Sequence, residues 1–97
     1  MSAGGRRGGG PDPDAALDAD GERLFQALRR ERLQIAQRDG MAPFIVASDR
    51  TLRDIALLRP RTLDELRSAH GIGPQKAERY GALWLGVVAR EARPGEA

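Results

Sequence analysis

One corner leaves this chain little choice of fold. In AHGIGPQKAERYG, from Ala69 to Gly81, two glycines bracket an isoleucine and a proline follows directly. Proline has no N–H to donate and is tolerated in the first turn of a helix, so a helix opens at Pro74 and the preceding element must stop before the glycines. Glycine takes positive φ without steric penalty, which lets Gly71 and Gly73 reverse the chain in few residues. Ile72 between them reads as a plug into the core.

The remaining elements are read from the same punctuation. Leu24, Phe25, Leu28, Ile35 and Ala36 share one broad stripe at a 3.6-residue period, predicting a helix from about Glu22 to Arg38, with Asp20 as N-cap and Gly40 as its stop. Leu33 falls outside that stripe. MAPFIVASD contains a proline and a β-branched pair, so it is expected to be an extended connector, with Phe44, Ile45 and Val46 the candidates for burial. A second helix is capped by Ser48 or Asp49, carries Leu52, Ile55 and Ala56 inward, and ends before Pro60. In TLDE, Thr62 and Glu65 form a capping box, with Leu63 and Leu66 following on one side. The last helix runs from Pro74 to about Arg90, and its inward face is Ala77, Tyr80, Gly81, Trp84, Val87 and Val88. No strand pair is visible.

Seventy or so residues with this pattern make one small domain, near the lower limit for a single core. With no cysteine in the chain, neither a disulfide nor a thiolate metal site supplements that core. Residues 1–20 are rich in Gly, Pro and Asp and read as a flexible leader or linker; residues 91–97 read as a flexible tail. No apolar run approaches the ~20 residues of a membrane span, and the first residues lack the apolar core of a secretory signal.

The net charge of +2 is unevenly spread: residues 21–90 hold thirteen basic side chains against eight acidic ones, and twelve of the thirteen are arginine. Arginine suits forked phosphate contacts and stacking on bases. The same composition also fits a GC-rich genome and a merely soluble surface. The turn adds a direction to the charge, because backbone N–H groups and the positive end of a helix dipole converge where Pro74 opens its helix. Lys76, Arg79 and Arg90 fall within ~60° of one another, away from the apolar stripe. Each alone is an ordinary solvated cation; beside the turn, together, they suggest a phosphate contact.

Catalytic chemistry lacks its parts. His70 is the only histidine and reads as a turn residue, so zinc ligation and Cys–His or Ser–His nucleophiles are not available. GIGPQK is not a nucleotide-binding loop, since Gln75 and Ala77 stand where Gly and Ser or Thr are required. Asp12, Asp14, Asp18 and Asp20 lie where nothing holds them rigid, and Asp49, Asp54, Asp64 and Glu65 read as capping and surface positions.

KAERYG after GIGP, preceded by RPRTLDEL and by LFQALRRERLQIAQRDGMAPFIVASDRTL, resembles the HRDC domain, the helicase and RNase D C-terminal module, over Glu22 to Val88. The resemblance implies a compact five-helix bundle that binds nucleic acid without catalysis, usually appended to RecQ-type helicases, RNase D or some UvrD-like helicases. Pro43 and Phe44 match the family's proline–aromatic pair, whose aromatic is usually tyrosine and can stack on a single-stranded base; burial of Phe44 is the alternative. Lys76 matches the lysine after the glycine turn, and Arg79 with Tyr80 the basic–aromatic pair, of which Tyr80 is assigned to the core. Glu31 departs from the family's apolar or aromatic residue, so that corner is expected to be looser or salt-bridged, with Arg53 as candidate partner. Arg38, Arg50 and Arg53 form a second basic cluster near the connector. A helix-hairpin-helix motif shares the GIG turn, but it usually has proline where His70 stands.

The expected molecule is an all-α, HRDC-like bundle of about five short helices over residues 21–90, needing no cofactor or metal and monomeric. Its expected role is an accessory nucleic-acid-binding module that prefers single-stranded or partly single-stranded DNA and tethers a helicase or nuclease domain, of the same or a partner chain, to its substrate. The expected setting is the cytoplasm, at the nucleoid in a bacterium. The candidate contacts are Lys76, Arg79, Gly71, Gly73, Phe44, Arg38, Arg50, Arg53 and Arg90. The rival reading is a protein-docking module whose basic face meets an acidic partner. DNA and RNA are not distinguished, because nothing identifies a reader of the 2′-hydroxyl.

Overall fold

A carboxylate two residues earlier than expected starts the first helix. In the computed structural model, which describes residues 15–92, α1 spans Ala19–Asp39 and its N-cap is Asp18 rather than Asp20. The Asp18 carboxylate accepts the Gly21 N–H at 2.7 Å and Arg59 Nη2 at 3.1 Å, so one side chain caps α1 and ties it to Arg59, far along the chain. Gly40 ends α1 in the left-handed region at φ 68°, with its N–H bonded to the Ala36 carbonyl. Most of the expected leader and tail, Asp12 and Asp14 included, lies outside the described residues.

The connector is not extended. Pro43–Val46 forms a single helical turn, α2, because Pro43 presets φ at its first position, and the chain returns to extended geometry at Ala47. Successive residues on a helical turn point about 100° apart, so three consecutive apolar side chains cannot all face the core. Val46 is fully buried, whereas Ile45 is exposed and Phe44 is 70% exposed.

α3 spans Asp49–Leu58. Ser48 Oγ accepts the Thr51 N–H at 3.2 Å, and Leu52, Ile55 and Ala56 turn inward as their spacing predicts. Arg59 stops the helix at φ 49°, a conformation costing a non-glycine residue about 1–2 kcal/mol, and the buried Pro60 prevents continuation. α4 is a single turn, Leu63–Leu66. Thr62 Oγ1 accepts the Glu65 N–H at 3.1 Å, but Glu65 returns its bond to the Arg61 N–H at 2.7 Å, one residue upstream of the expected partner.

α5 spans Pro74–Glu91, and all six residues of its expected inward face are buried. Trp84 is fully enclosed although its indole N–H finds no acceptor among the described residues; burial of the ring outweighs one missing hydrogen bond. Leu63 of α4 lies directly over Gly81, where a Cβ would collide with Leu63 Cδ2. α1 packs across α3 and α5, α2 folds back on α1, and α4 rests on α5. No strand occurs among the described residues.

Candidate nucleic-acid interface

Only one of the two corner glycines adopts the left-handed conformation. Gly71 sits at φ 79°, and a Cβ there would stand 3.0 Å from Thr51 Oγ1. Gly73 is the N-cap of α5 at φ −90° and ψ −175°, extended backbone with open space around it, so the expectation that positive φ explains both glycines is corrected. The turn is held instead by α3. Thr51 Oγ1 donates to the His70 carbonyl at 2.6 Å, and the Asp54 carboxylate accepts the His70 N–H at 2.8 Å. Asp54, expected on the surface, is 3% exposed. Its burial is satisfied by the backbone it restrains.

Around this turn Arg50, Asp54, Arg67, His70, Gly71 and Gly73 line a shallow hollow of about 430 Å³. Neither the Arg50 nor the Arg67 guanidinium has a partner among the described residues. Gly73 brings no side chain to the first-turn amides of α5, and Pro74 has none to offer.

A second basic cluster forms where the end of α1, α2 and the start of α5 meet. Lys76 is half-buried, and its ammonium donates to the Ile45 carbonyl at 3.1 Å, fixing α2 against α5. Tyr80 is buried with its hydroxyl 3.8 Å from Met41 Sδ, and the Arg79 guanidinium lies 5.4 Å from the Tyr80 ring centre. Asp39 joins two of the arginines. Its Oδ1 takes Arg38 Nε at 2.9 Å, and its Oδ2 lies 3.3 Å from Arg38 Nη2 and 3.9 Å from Arg79 Nη2. The hydrogen bond from Arg38 holds the Asp39 carboxyl below its ordinary value, and the same bond raises Arg38 above its own. On α2 the side chains of Phe44 and Ile45 stand exposed.

Lys76, Arg38 and Arg79 are thus engaged where α1, α2 and α5 meet, with Phe44 exposed on α2, while Arg50, Gly71 and Gly73 share the hollow. Arg53 is half-buried on α3. Arg90 stands about 21 Å along α5 from Lys76 at 1.5 Å per residue, and pairs at 4.0 Å with Glu31. The salt-bridged corner therefore forms with α5. Sequence reasoning missed Arg32, whose guanidinium donates to the Ala47 carbonyl at 3.1 Å and pairs with Asp49 at 2.8 Å, pinning α1 to the α2–α3 junction. Nothing in RRERLQ separates Arg32 from its exposed neighbours. It also missed Asp39 and Thr51; for Thr51 and Asp54 the available signal was two polar residues adjoining the inward stripe of α3. No three His, Asp or Glu side chains gather as a metal-holding group among the described residues, and no described helix is long and apolar enough to cross a membrane.

Residues 21–88 match the HRDC domain family. The chain belongs to that family. It is 40% identical over 79 residues to the ATP-dependent DNA helicase RecQ of Bacillus subtilis, covering 81% of this chain and 13% of the helicase. It is 38% identical over 73 residues to the ATP-dependent DNA helicase UvrD2 of Mycobacterium tuberculosis, covering 75% of this chain and 10% of that protein. The solved HRDC domain 3 of D. radiodurans RecQ superposes with a TM-score of 0.70 at 33% identity, covering 72% of this chain and 92% of that domain. The chain spans about an eighth of the RecQ it matches. The HRDC domain is a non-catalytic accessory domain, so the helicase activity named for these relatives lies in their other domains.

Proposed function

We propose that this HRDC domain binds nucleic acid, preferring single-stranded or partly single-stranded DNA, and tethers a helicase to its substrate. The observation that carries the reading is Phe44: a large aromatic ring 70% exposed, on the short helix whose Ile45 carbonyl Lys76 bonds. A ring so exposed offers a stacking surface worth about 1–3 kcal/mol per base, and Lys76, Arg38 and Arg79 supply phosphate contacts. Arg50, Arg53, Arg90, Gly71 and Gly73 extend the proposed contact around the turn and along α5. Such a module works at the chromosome, which in a bacterium is the cytoplasmic nucleoid. A few exposed phosphate contacts set a modest affinity, micromolar or weaker, and tethering raises the local substrate concentration without further contacts.

The test is fluorescence anisotropy of labelled single-stranded DNA, duplex DNA and single-stranded RNA of equal length, titrated at two salt concentrations. Salt-sensitive binding that is tightest for single-stranded DNA supports the reading. The rival, docking onto an acidic partner domain, draws on a specific observation: Arg38, Arg79 and Arg90 each already lie near a carboxylate. Absence of binding to all three probes at low salt would favour that rival.

A further inference from the structure

We propose that Asp39 acts as an internal competitor for the phosphate, holding the Arg38 and Arg79 guanidiniums in place while weakening their hold on nucleic acid. The inference rests on the proposed binding role and concerns the strength of that same face. Asp39 is the last residue of α1, where the negative end of the helix dipole disfavours a carboxylate. It is nevertheless the point on which two arginines from different helices converge, one at 2.9 Å and 3.3 Å and the other at 3.9 Å. Its side chain is 19% exposed, whereas those of Arg38 and Arg79 are 58% and 63% exposed. The carboxylate is thus covered and the two guanidiniums reach solvent.

A phosphate arriving at this face meets two positioned forks whose charge is shared with Asp39. It must draw the guanidiniums away from the carboxylate or accept a weaker field. Lys76, bonded to a neutral backbone carbonyl, carries no such restraint. A side chain of the same shape without the charge keeps an acceptor for Arg38 and removes the competition.

The experiment compares wild type with Asp39→Asn by anisotropy on labelled single-stranded DNA across a salt series, alongside thermal melts. Asp39→Asn is expected to bind about three- to tenfold more tightly at low salt, with a steeper dependence of log affinity on log salt and little change in melting temperature. Asp64→Asn, which removes the same charge from α4, should leave affinity within about twofold. In an Arg38→Ala/Arg79→Ala background, Asp39→Asn should change nothing. Unchanged or weaker binding by a folded Asp39→Asn protein overturns the inference while leaving wild-type binding, and so the proposed function, intact. Equal tightening by Asp64→Asn overturns it as well, since net charge would then suffice. Wild-type protein that binds no nucleic acid removes both. Should Asp39→Asn fail to fold, Asp39→Ser, short and uncharged, gives the same reading.

Discussion

The two basic clusters flanking the start of α5 are built in opposite ways. At the α1–α2–α5 junction every cation of the cluster is engaged: Lys76 on the Ile45 carbonyl, Arg38 and Arg79 on Asp39. In the hollow at the turn the backbone is what is engaged, clamped by Thr51 and Asp54, while Arg50 and Arg67 stand without partners among the described residues. One region fixes its cations and leaves an aromatic ring free; the other fixes its backbone and leaves its cations free. Positioned cations lose less entropy on binding but share their field, whereas unpaired ones offer full charge and must be ordered by the ligand.

The strongest way to break this contrast is to cut the clamp. Asp54→Ala takes the acceptor from the part-buried His70 N–H and is expected to destabilise the fold by about 1–3 kcal/mol, seen in urea unfolding. A loss under half of that would mean that the turn holds itself. Gly71→Ala places a Cβ at positive φ against Thr51 and should cost about 1–2 kcal/mol in the same measurement.

Charge removal then separates the clusters by binding. Lys76→Ala with Arg79→Ala is expected to weaken single-stranded DNA binding about tenfold at low salt and flatten its salt dependence, while loss of the Lys76–Ile45 bond lowers the thermal transition by a few degrees. Arg50→Ala with Arg67→Ala probes the unpaired pair, and a larger loss there would move the main contact to the hollow. Gly73→Ala, at an extended and open N-cap, should shift stability by less than about 1 kcal/mol, the poorer cap being offset by the reduced freedom of the unfolded chain.

The smallest effect is the acid dependence of the Asp39 pair. Its carboxyl is held below the ordinary 3.8, so its contribution to stability is present above that value and is lost as pH falls through the lower, folded-state one. Melting temperatures of wild type and Asp39→Asn should therefore differ slightly near neutrality and converge below about pH 4, and a constant difference across that range would assign the effect to shape rather than charge.

Much of the fold is legible in the order of residues alone. α5 reads out residue by residue because its apolar positions repeat at the helical period and Pro74 marks its start; Thr62 and Ser48 announce their helices through caps that act within three residues. α2 escapes such a reading because a proline and β-branched residues also describe an extended chain, and a four-residue helix has no periodicity to reveal it. The candidate site is half legible: Phe44, Lys76, Arg79 and Arg38 carry the residue types of a nucleic-acid face, but the carboxylate that couples two of them is invisible among fourteen acidic side chains.

Periodicity, capping and composition act over a few residues, so the linear chain already specifies a small all-helical domain, where most of its helices stop, and a charge that is mostly arginine. Which cations are free is a matter of packing. It depends on carboxylates and carbonyls distant in the chain, such as Asp39 for Arg79 and Ile45 for Lys76, brought within hydrogen-bonding or ion-pairing range only when α1, α2 and α5 come together.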